Sequence, residues 1–210
     1  MISIINFLQV RIITIDDYIN EINSAIDSRN YLSALVLSLM IPDICSKHDK
    51  VTDYKNSNKY VKWFDKYVYK KYYNYPRKSE IKNVKNKEMY KIKFNGSTCY
   101  ALRNAIMHSG KPHVIYNDKK NRIKANVDYI ELCVNGSSDR SVQHGEGASI
   151  TLYDNKSKSV SIRINIVIFI DKMLAGYNDF LADNNINEIR LFNMIDWDEI
   201  GGKIVFTPNR

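Results

Sequence analysis

The sequence predicts an α+β fold, in which an antiparallel helical bundle carries a β-hairpin or β-sheet elaboration before its last long helix. Apolar residues recur at helical spacing up to about residue 112, alternate with polar residues between 113 and 162, and then return to helical spacing. A length of 210 residues suits one domain of ordinary size. We therefore divide the chain into an N-terminal extension, residues 1–14, and a single domain, residues 15–210. Within the domain, the bundle core is 15–112 with 163–184, the β elaboration is 113–162 and the C-terminal tail is 185–210.

The first two helices are predicted from capping residues and periodicity. Residues 2–14 fit either a strand or a leading extension. Thr14 or Asp16 can cap the first helix, in which acidic residues occupy the first turn and isoleucines recur at helical spacing. The segment "YLSALVLSLMIPDIC" is apolar on nearly all sides, which is typical of a central bundle helix, and Pro42 should kink or end it.

Two more helices are predicted on either side of a basic segment. "NKYVKWFDKYVYKKYY" spaces its aromatic residues at i, i+3, i+4 and i+7, so we expect Trp63, Phe64 and Tyr67 in the core. Residues 74–95 are basic without a sustained period, which indicates a connection. The fourth helix is "CYALRNAIMHSG", with Gly110 as its C-cap.

The second half of the chain changes to the alternating pattern of strands. "HVIYN", "NVDYIELCVN", "ASITLYDN" and "SVSIRIN" are predicted strands, and "DNKSKS" is a hairpin turn between the last two. The last long helix should run from about Ile164 to Ala182, and the tail after it should hold a short strand or helix.

Composition and charge narrow the function classes. A formal charge of +8 makes a polyanion the first partner to consider. Three widely spaced cysteines without a C-x-x-C pair imply neither a disulfide framework nor a zinc ribbon, and they suit a reducing compartment such as the cytoplasm. The apolar segments are too short for a membrane span, and we expect no membrane partner, no cofactor and no metal site.

The fourth predicted helix concentrates polar residues on one arc. On a helical wheel Arg103, Asn104 and His108 share this arc with Tyr100 and Met107, whereas the opposite arc is small or apolar: Cys99, Ala101, Leu102, Ala105, Ile106, Ser109. An amphipathic helix normally has a polar face, and Arg and His near a C-terminus complement the helix dipole. The other interpretation is a chemical site.

The motif "RNAIMH" resembles the signature of the HEPN superfamily, in which an arginine with a polar neighbour precedes a histidine late in a helical bundle. Here four residues separate Arg103 from His108. The order of "YLSALVLSLMIPDIC", "KYVKWFDKYV" and "CYALRNAIMHSG" is also similar to that in HEPN-like bacterial proteins. The resemblance covers roughly residues 15–112.

The resemblance implies a metal-independent endoribonuclease that acts as a homodimer, with the motifs of two copies in one composite site. His108 would be the general base or acid, Arg103 would stabilise phosphate charge, and Asn104 would orient His108 or bind phosphate. The products would be a 2′,3′-cyclic phosphate and a 5′-hydroxyl. The setting would be toxin–antitoxin or antiviral defence, with an antitoxin or regulatory partner. Many HEPN proteins are not nucleases, so a non-catalytic module that binds a nucleotide, RNA or a protein is the alternative.

Further residues are assigned supporting roles. Asp43 either pairs with Arg103 and positions it, as acids on a neighbouring helix do in some HEPN proteins, or caps a turn. Tyr100 supports the site from the same arc. Cations around the third helix are available to RNA: Lys70, Lys71, Arg77, Lys78.

Overall fold

Helices make up most of the described chain, and small sheets accompany them. A computed structural model describes residues 10–49, 56–70, 94–111, 117–118, 123–124, 129–134, 148–153 and 159–195. This composition confirms the predicted α+β class. The strands are β1 Val10–Thr14, β2 Asn117–Asp118, β3 Ile123–Lys124, β4 Tyr129–Cys133, β5 Ala148–Tyr153, β6 Ser159–Asn165 and β7 Arg190–Ile195. The helices are α1 Ile15–Asp27, α2 Tyr31–Ser38, α3 Ile41–Cys45, α4 Asn56–Phe64, α5 Gly96–Ser109 and α6 Ile166–Asn184.

Helix α1 begins with a capping box that selects Thr14 over Asp16 as the N-cap. The Thr14 hydroxyl accepts from the backbone N–H of Asp17 at 3.3 Å, and the Asp17 carboxylate accepts from the Thr14 N–H at 2.9 Å. Arg11 pairs with the same carboxylate at 2.7 Å. These contacts lower the pKa of Asp17 to about 2, with the Thr14 backbone as the largest cause.

The apolar segment 31–45 forms two helices rather than one kinked helix. Helix α2 ends at Ser38, and Pro42 lies in the first turn of α3, where its missing N–H costs no helical hydrogen bond. The chain does break near Pro42, but Pro42 lies at the start of the next helix, and α2 has already ended at Ser38. The expectation of a central helix that is buried on nearly all sides is wrong for α2, because Leu32 is 66% exposed.

Helix α4 continues into a π-helical turn, Asp65–Tyr69, and supplies the aromatic core. Trp63, Phe64 and Tyr67 are fully buried, as predicted. Trp63 and Tyr67 pack edge-on against Phe180 of α6, with ring centroids 6.0 and 5.4 Å apart. The close approach of α6 to this turn needs a glycine, because a Cβ on Gly176 would lie 2.7 Å from a Val68 methyl. Helix α4 is thereby fixed in the centre of the bundle.

A three-stranded sheet with the order β4-β6-β5 precedes α6. Strands β5 and β6 are antiparallel with Tyr153 opposite Ser159, as the predicted hairpin requires, and β4 pairs with β6 in parallel. Strand β6 continues to Asn165, whose side chain accepts from the N–H groups of Val167 and Ile168. The predicted start of the last helix at Ile164 is therefore wrong by two residues, because Asn165 is the N-cap.

Strands β1 and β7 form a two-stranded antiparallel ribbon that joins the predicted extension to the predicted tail. Val10 lies opposite Ile195 and Ile13 lies opposite Phe192. The ribbon is tied to the bundle beside it, since the Ile15 N–H donates to the carbonyl of buried Ile189 at 2.9 Å. Residues 2–14 were predicted to be either a strand or a leading extension, and the described residues of this segment, Val10–Thr14, form a strand.

In the described ranges, no helix has the length and apolar character that crossing a bilayer requires.

Candidate functional site

Helix α5 is anchored to α4 at its N-terminus. Asn95 caps it by accepting from the Thr98 N–H at 3.1 Å, and the Gly96 N–H donates to the Asp65 carboxylate at 2.7 Å. The two helices approach so closely that a Cβ on Gly96 would lie 2.3 Å from the Val61 carbonyl oxygen. Glycine at this position therefore fixes where the rest of α5, with its polar residues, lies in the bundle.

The two halves of α5 differ in exposure. Its first turns are buried, including Thr98, Cys99, Ala101 and Leu102, whereas Met107, His108 and Ser109 are exposed. The helical wheel, which predicts Ser109 on the packed arc, is therefore wrong for this residue. The physical reason is that burial along α5 falls towards its C-terminal end, where Gly110 caps it with a φ of 62°.

Arg103 is held in place by contacts from two sides. Its Nη1 donates to the Asn104 side-chain oxygen at 2.9 Å, and its Nη2 lies 3.0 Å from a carboxylate oxygen of Asp43 in α3. The same Nη2 contacts the Met40 sulfur at 3.8 Å. Of the two roles left open for Asp43, the structure shows the pairing with Arg103. The guanidinium plane is consequently oriented before any ligand arrives.

The Asp43–Arg103 pair is only partly shielded from solvent, with the two side chains 21% and 20% exposed. Burial raises the pKa of Asp43, and the nearby charges of Arg103 and Lys47 act in the opposite direction. Arg103 Nε has no hydrogen-bond partner among the described residues. This nitrogen is itself buried, so it is not a donor that a ligand in the cleft can reach.

A cleft of about 280 Å³ opens beside this pair. It is lined from α3 and its flanks, from α4 and from α5: Met40, Asp43, Ser46, Lys47, Lys59, Tyr100, Arg103. The Tyr100 ring packs edge-on against buried Tyr60 at 5.2 Å, and Tyr60 donates to the Leu39 carbonyl at 3.0 Å. The Tyr100 ring is thus held in place by packing, and the cleft that it lines also contains three cationic side chains: Lys47, Lys59, Arg103.

The structure brings together some of the predicted site residues and not others. Arg103, Asp43 and Tyr100 line the cleft, and Asn104 contacts Arg103 without lining the cleft itself. His108 is exposed on the same helix and is not among the residues that line the cleft.

The predicted RNA-binding cations are displaced from this cleft or lie beyond the described residues. Lys70 is exposed at the residue after the π-helical turn, outside the lining. The other three predicted cations fall outside the described residues: Lys71, Arg77, Lys78.

Sequence reasoning missed four residues that line the cleft: the two lysines, Lys47 and Lys59, and the smaller contributors Met40 and Ser46. A signal for Lys47 was present, because it follows Asp43 by four residues, a spacing that places two side chains on one face of a helical segment. Lys59 had no comparable signal, because its position at the cleft depends on how α4 packs against α3 and α5.

The donor groups of the cleft favour an anion over a metal ion. In the described part of the chain, no group of three or more His, Cys, Asp or Glu side chains is close enough to hold an ion. The groups that the cleft offers are ammonium, guanidinium, hydroxyl and one carboxylate, which together are suited to binding an anion.

Comparisons with protein-family models, with curated proteins and with solved structures find no match to this chain.

Proposed function

We propose that the protein is a metal-independent endoribonuclease of the HEPN type that acts as a homodimer in the cytoplasm, in toxin–antitoxin or antiviral defence. The observation that supports this proposal is the placement of Arg103 and His108. Arg103 is oriented by Asp43 and Asn104 at the edge of a basic cleft, and His108 is exposed further along the same helix.

In this proposal His108 transfers protons. As a general base it removes the proton of an RNA 2′-hydroxyl, whose oxygen attacks the adjacent phosphorus, and the bond from phosphorus to the 5′-oxygen breaks. A general acid protonates that leaving oxygen, and the same motif of a second copy would supply it. The products are a 2′,3′-cyclic phosphate and a 5′-hydroxyl. Imidazole suits this chemistry because its ordinary pKa lies near neutral pH.

Arg103 would stabilise the negative charge that develops on the phosphate oxygens. Asn104 already accepts a hydrogen bond from Arg103, so its role in the proposal is to position the guanidinium rather than His108. Asp43 would position the same guanidinium from the opposite side.

The test is incubation of labelled RNA with the protein in EDTA. We expect cleavage by the wild type, and a loss of about 10²- to 10⁴-fold in rate for His108→Ala and for Arg103→Ala. His48→Ala is the matched control, because His48 is exposed outside the cleft lining, and its rate should equal the wild-type rate. Cleavage that persists in His108→Ala, or no cleavage by the wild type, would contradict the proposal.

A second candidate, a non-catalytic binding module, is favoured by a specific observation. Arg103 already engages Asp43 and Asn104, and His108 does not line the cleft. A module of this kind would bind a nucleotide, RNA or a partner protein without turnover. Wild-type protein that binds RNA and never cleaves it would favour this candidate.

A further inference from the structure

We propose that Lys47 and Lys59, beside Arg103, form a phosphate subsite for a single-stranded nucleic acid, separate from the phosphate on which His108 acts. This inference rests on the proposed ribonuclease function, and it assigns to the cleft the phosphate next to the scissile one. Three observations carry it: the convergence of cations, the engagement of Arg103, and the position of His108.

The cations converge on the cleft from three separate segments. Lys47 follows α3, Lys59 belongs to α4 and Arg103 belongs to α5, and all three line the same cavity of about 280 Å³. Bringing three positive charges together is unfavourable unless an anion joins them. The Asp43 carboxylate compensates one of the three, which leaves a net of two positive charges around the cleft.

The two lysines carry the charge that a ligand can use. Arg103 is engaged by the Asp43 carboxylate, whereas neither Lys47 nor Lys59 forms an ion pair with a residue in the described ranges. Lys47 is exposed and Lys59 is half-buried, and both line the cleft. A phosphodiester is an anion that two flexible ammonium groups can hold without strict geometry.

The position of His108 separates this phosphate from the reacting one. Lys47 and Lys59 line the cleft, and His108 does not. A phosphate between Lys47 and Lys59 is therefore not the phosphate beside His108. The nucleic acid would pass from the cleft towards His108 along the C-terminal half of α5, which ends in exposed residues.

If the proposed subsite exists, substitutions in the cleft and at His108 should change different kinetic constants, KM and kcat respectively. Lysines that hold a non-reacting phosphate contribute binding that is equal in the ground state and the transition state. Lys47→Ala and Lys59→Ala should therefore raise KM and leave kcat near the wild-type value. His108→Ala should instead lower kcat.

A binding experiment tests the subsite without any dependence on turnover. The probe is a short, fluorescein-labelled oligonucleotide in its 2′-deoxy form, which lacks the attacking hydroxyl and cannot be cleaved by the proposed mechanism. Fluorescence anisotropy is measured with full-length protein over a series of salt concentrations. The variants are Lys47→Ala and Lys59→Ala, and Lys62→Ala is the control because Lys62 is exposed on α4 outside the lining. Thermal melting followed by circular dichroism checks that each variant is folded.

We expect each cleft variant to bind roughly fivefold more weakly at 0.1 M salt, with the slope of log K against log salt reduced by about 0.7 per lysine. Lys62→Ala should match the wild type. Folded cleft variants that keep the wild-type affinity and slope would overturn the subsite, and so would a wild type that does not bind the probe.

The outcomes for the subsite and for the ribonuclease are distinguishable. Weaker binding by the cleft variants, with no RNA cleavage by the wild type, supports the subsite and contradicts the nuclease. Cleavage of RNA with an unchanged KM and salt slope in the cleft variants supports the nuclease and overturns the subsite.

Discussion

Arg103 is the residue on which the site depends, and the geometry of its side chain explains why. A guanidinium can contact the Asp43 carboxylate and the Asn104 amide oxygen at once, because its donors point in fixed and different directions. A lysine ammonium has a single charged nitrogen on a flexible chain. The two contacts at 3.0 and 2.9 Å therefore require arginine rather than positive charge alone.

Arg103→Lys tests this requirement. We expect the variant to fold and to lose about 10²-fold in the rate of RNA cleavage, because the charge is kept and its orientation is lost. Single-turnover kinetics measures the effect. A cleavage rate within a few-fold of the wild type would show that charge alone is sufficient.

Asp43→Asn tests the positioning of Arg103 from the neighbouring helix. The substitution keeps the shape of the side chain and removes its charge, so we expect roughly a tenfold fall in kcat with little change in KM. Because Asp43 would act through Arg103, the variant should have no further effect when it is added to Arg103→Ala. Fully additive effects of the two substitutions would contradict a positioning role.

Among the elements, α5 depends on its tight junction with α4. Gly96→Ala would place a methyl group 2.3 Å from the Val61 carbonyl oxygen and would strain the hydrogen bond from the Gly96 N–H to Asp65. We expect a loss of about 3 kcal/mol in the free energy of unfolding, measured by urea denaturation.

Gly110→Ala is the matched comparison at the other end of α5. Gly110 has a φ of 62°, and among the described residues nothing beyond its own helix and chain neighbours lies within 4 Å of the position that a Cβ would take, so backbone strain is what opposes alanine. The expected loss in the free energy of unfolding is about 1 kcal/mol. Equal losses for the two glycine variants would show that the junction with α4 is not closely packed.

The capping box of α1 predicts a pH dependence of stability. Hydrogen bonds from Thr14 and Arg11 hold the pKa of Asp17 at about 2, below its ordinary value of 3.8. The stabilisation is present above the ordinary value and is lost as the pH falls through about 2, because protonation removes the charge that these groups stabilise. Asp17→Asn should flatten this part of the profile in urea unfolding series, whereas Asp27→Asn, at the exposed end of α1, should leave it unchanged. If the free energy of unfolding falls with decreasing pH in the same way in the wild type and in Asp17→Asn, the attribution of this pH dependence to Asp17 is contradicted.

Structural features that are set by residues close in sequence could be predicted. Features that are set by contacts between residues distant in sequence could not. The Gly110 cap follows from local backbone chemistry, as does the choice of Thr14 or Asp16 for the N-cap of α1, which the structure settles in favour of Thr14. The parallel pairing of β4 with β6 was not predicted, because it joins Tyr129 to Ser161 across a long segment. Lys59 was missed as a cleft residue for the same reason.

For the whole molecule, the proposed mechanism requires two copies. Each copy offers one Arg103–His108 motif, and the cleavage reaction needs both a general base and a general acid. We expect light scattering to give twice the 24.5 kDa of one chain. A strict monomer that still cleaves RNA would rule out a composite site, and a monomer without activity would favour the binding module.

The ribbon of β1 and β7 also shows the limit of sequence reasoning at this scale. The alternation in each strand is short, and only their pairing makes them a sheet. Ile12, Phe192 and Met194 are 42%, 58% and 44% exposed, so apolar residues in these strands are not confined to a buried face. The sequence therefore lacks the clear apolar alternation that a buried strand face produces. The pairing of β1 with β7 could therefore not be predicted from the sequence.

The same ribbon has a consequence for biosynthesis. Strand β1 emerges from the ribosome early, whereas its partner β7 is translated only after α6. Until then the hydrogen-bonding groups of β1 on that side have no partner strand, and the Ile15 N–H at the start of α1 lacks the Ile189 carbonyl to which it donates. The final assembly of the domain is therefore tied to translation of the segment that follows α6.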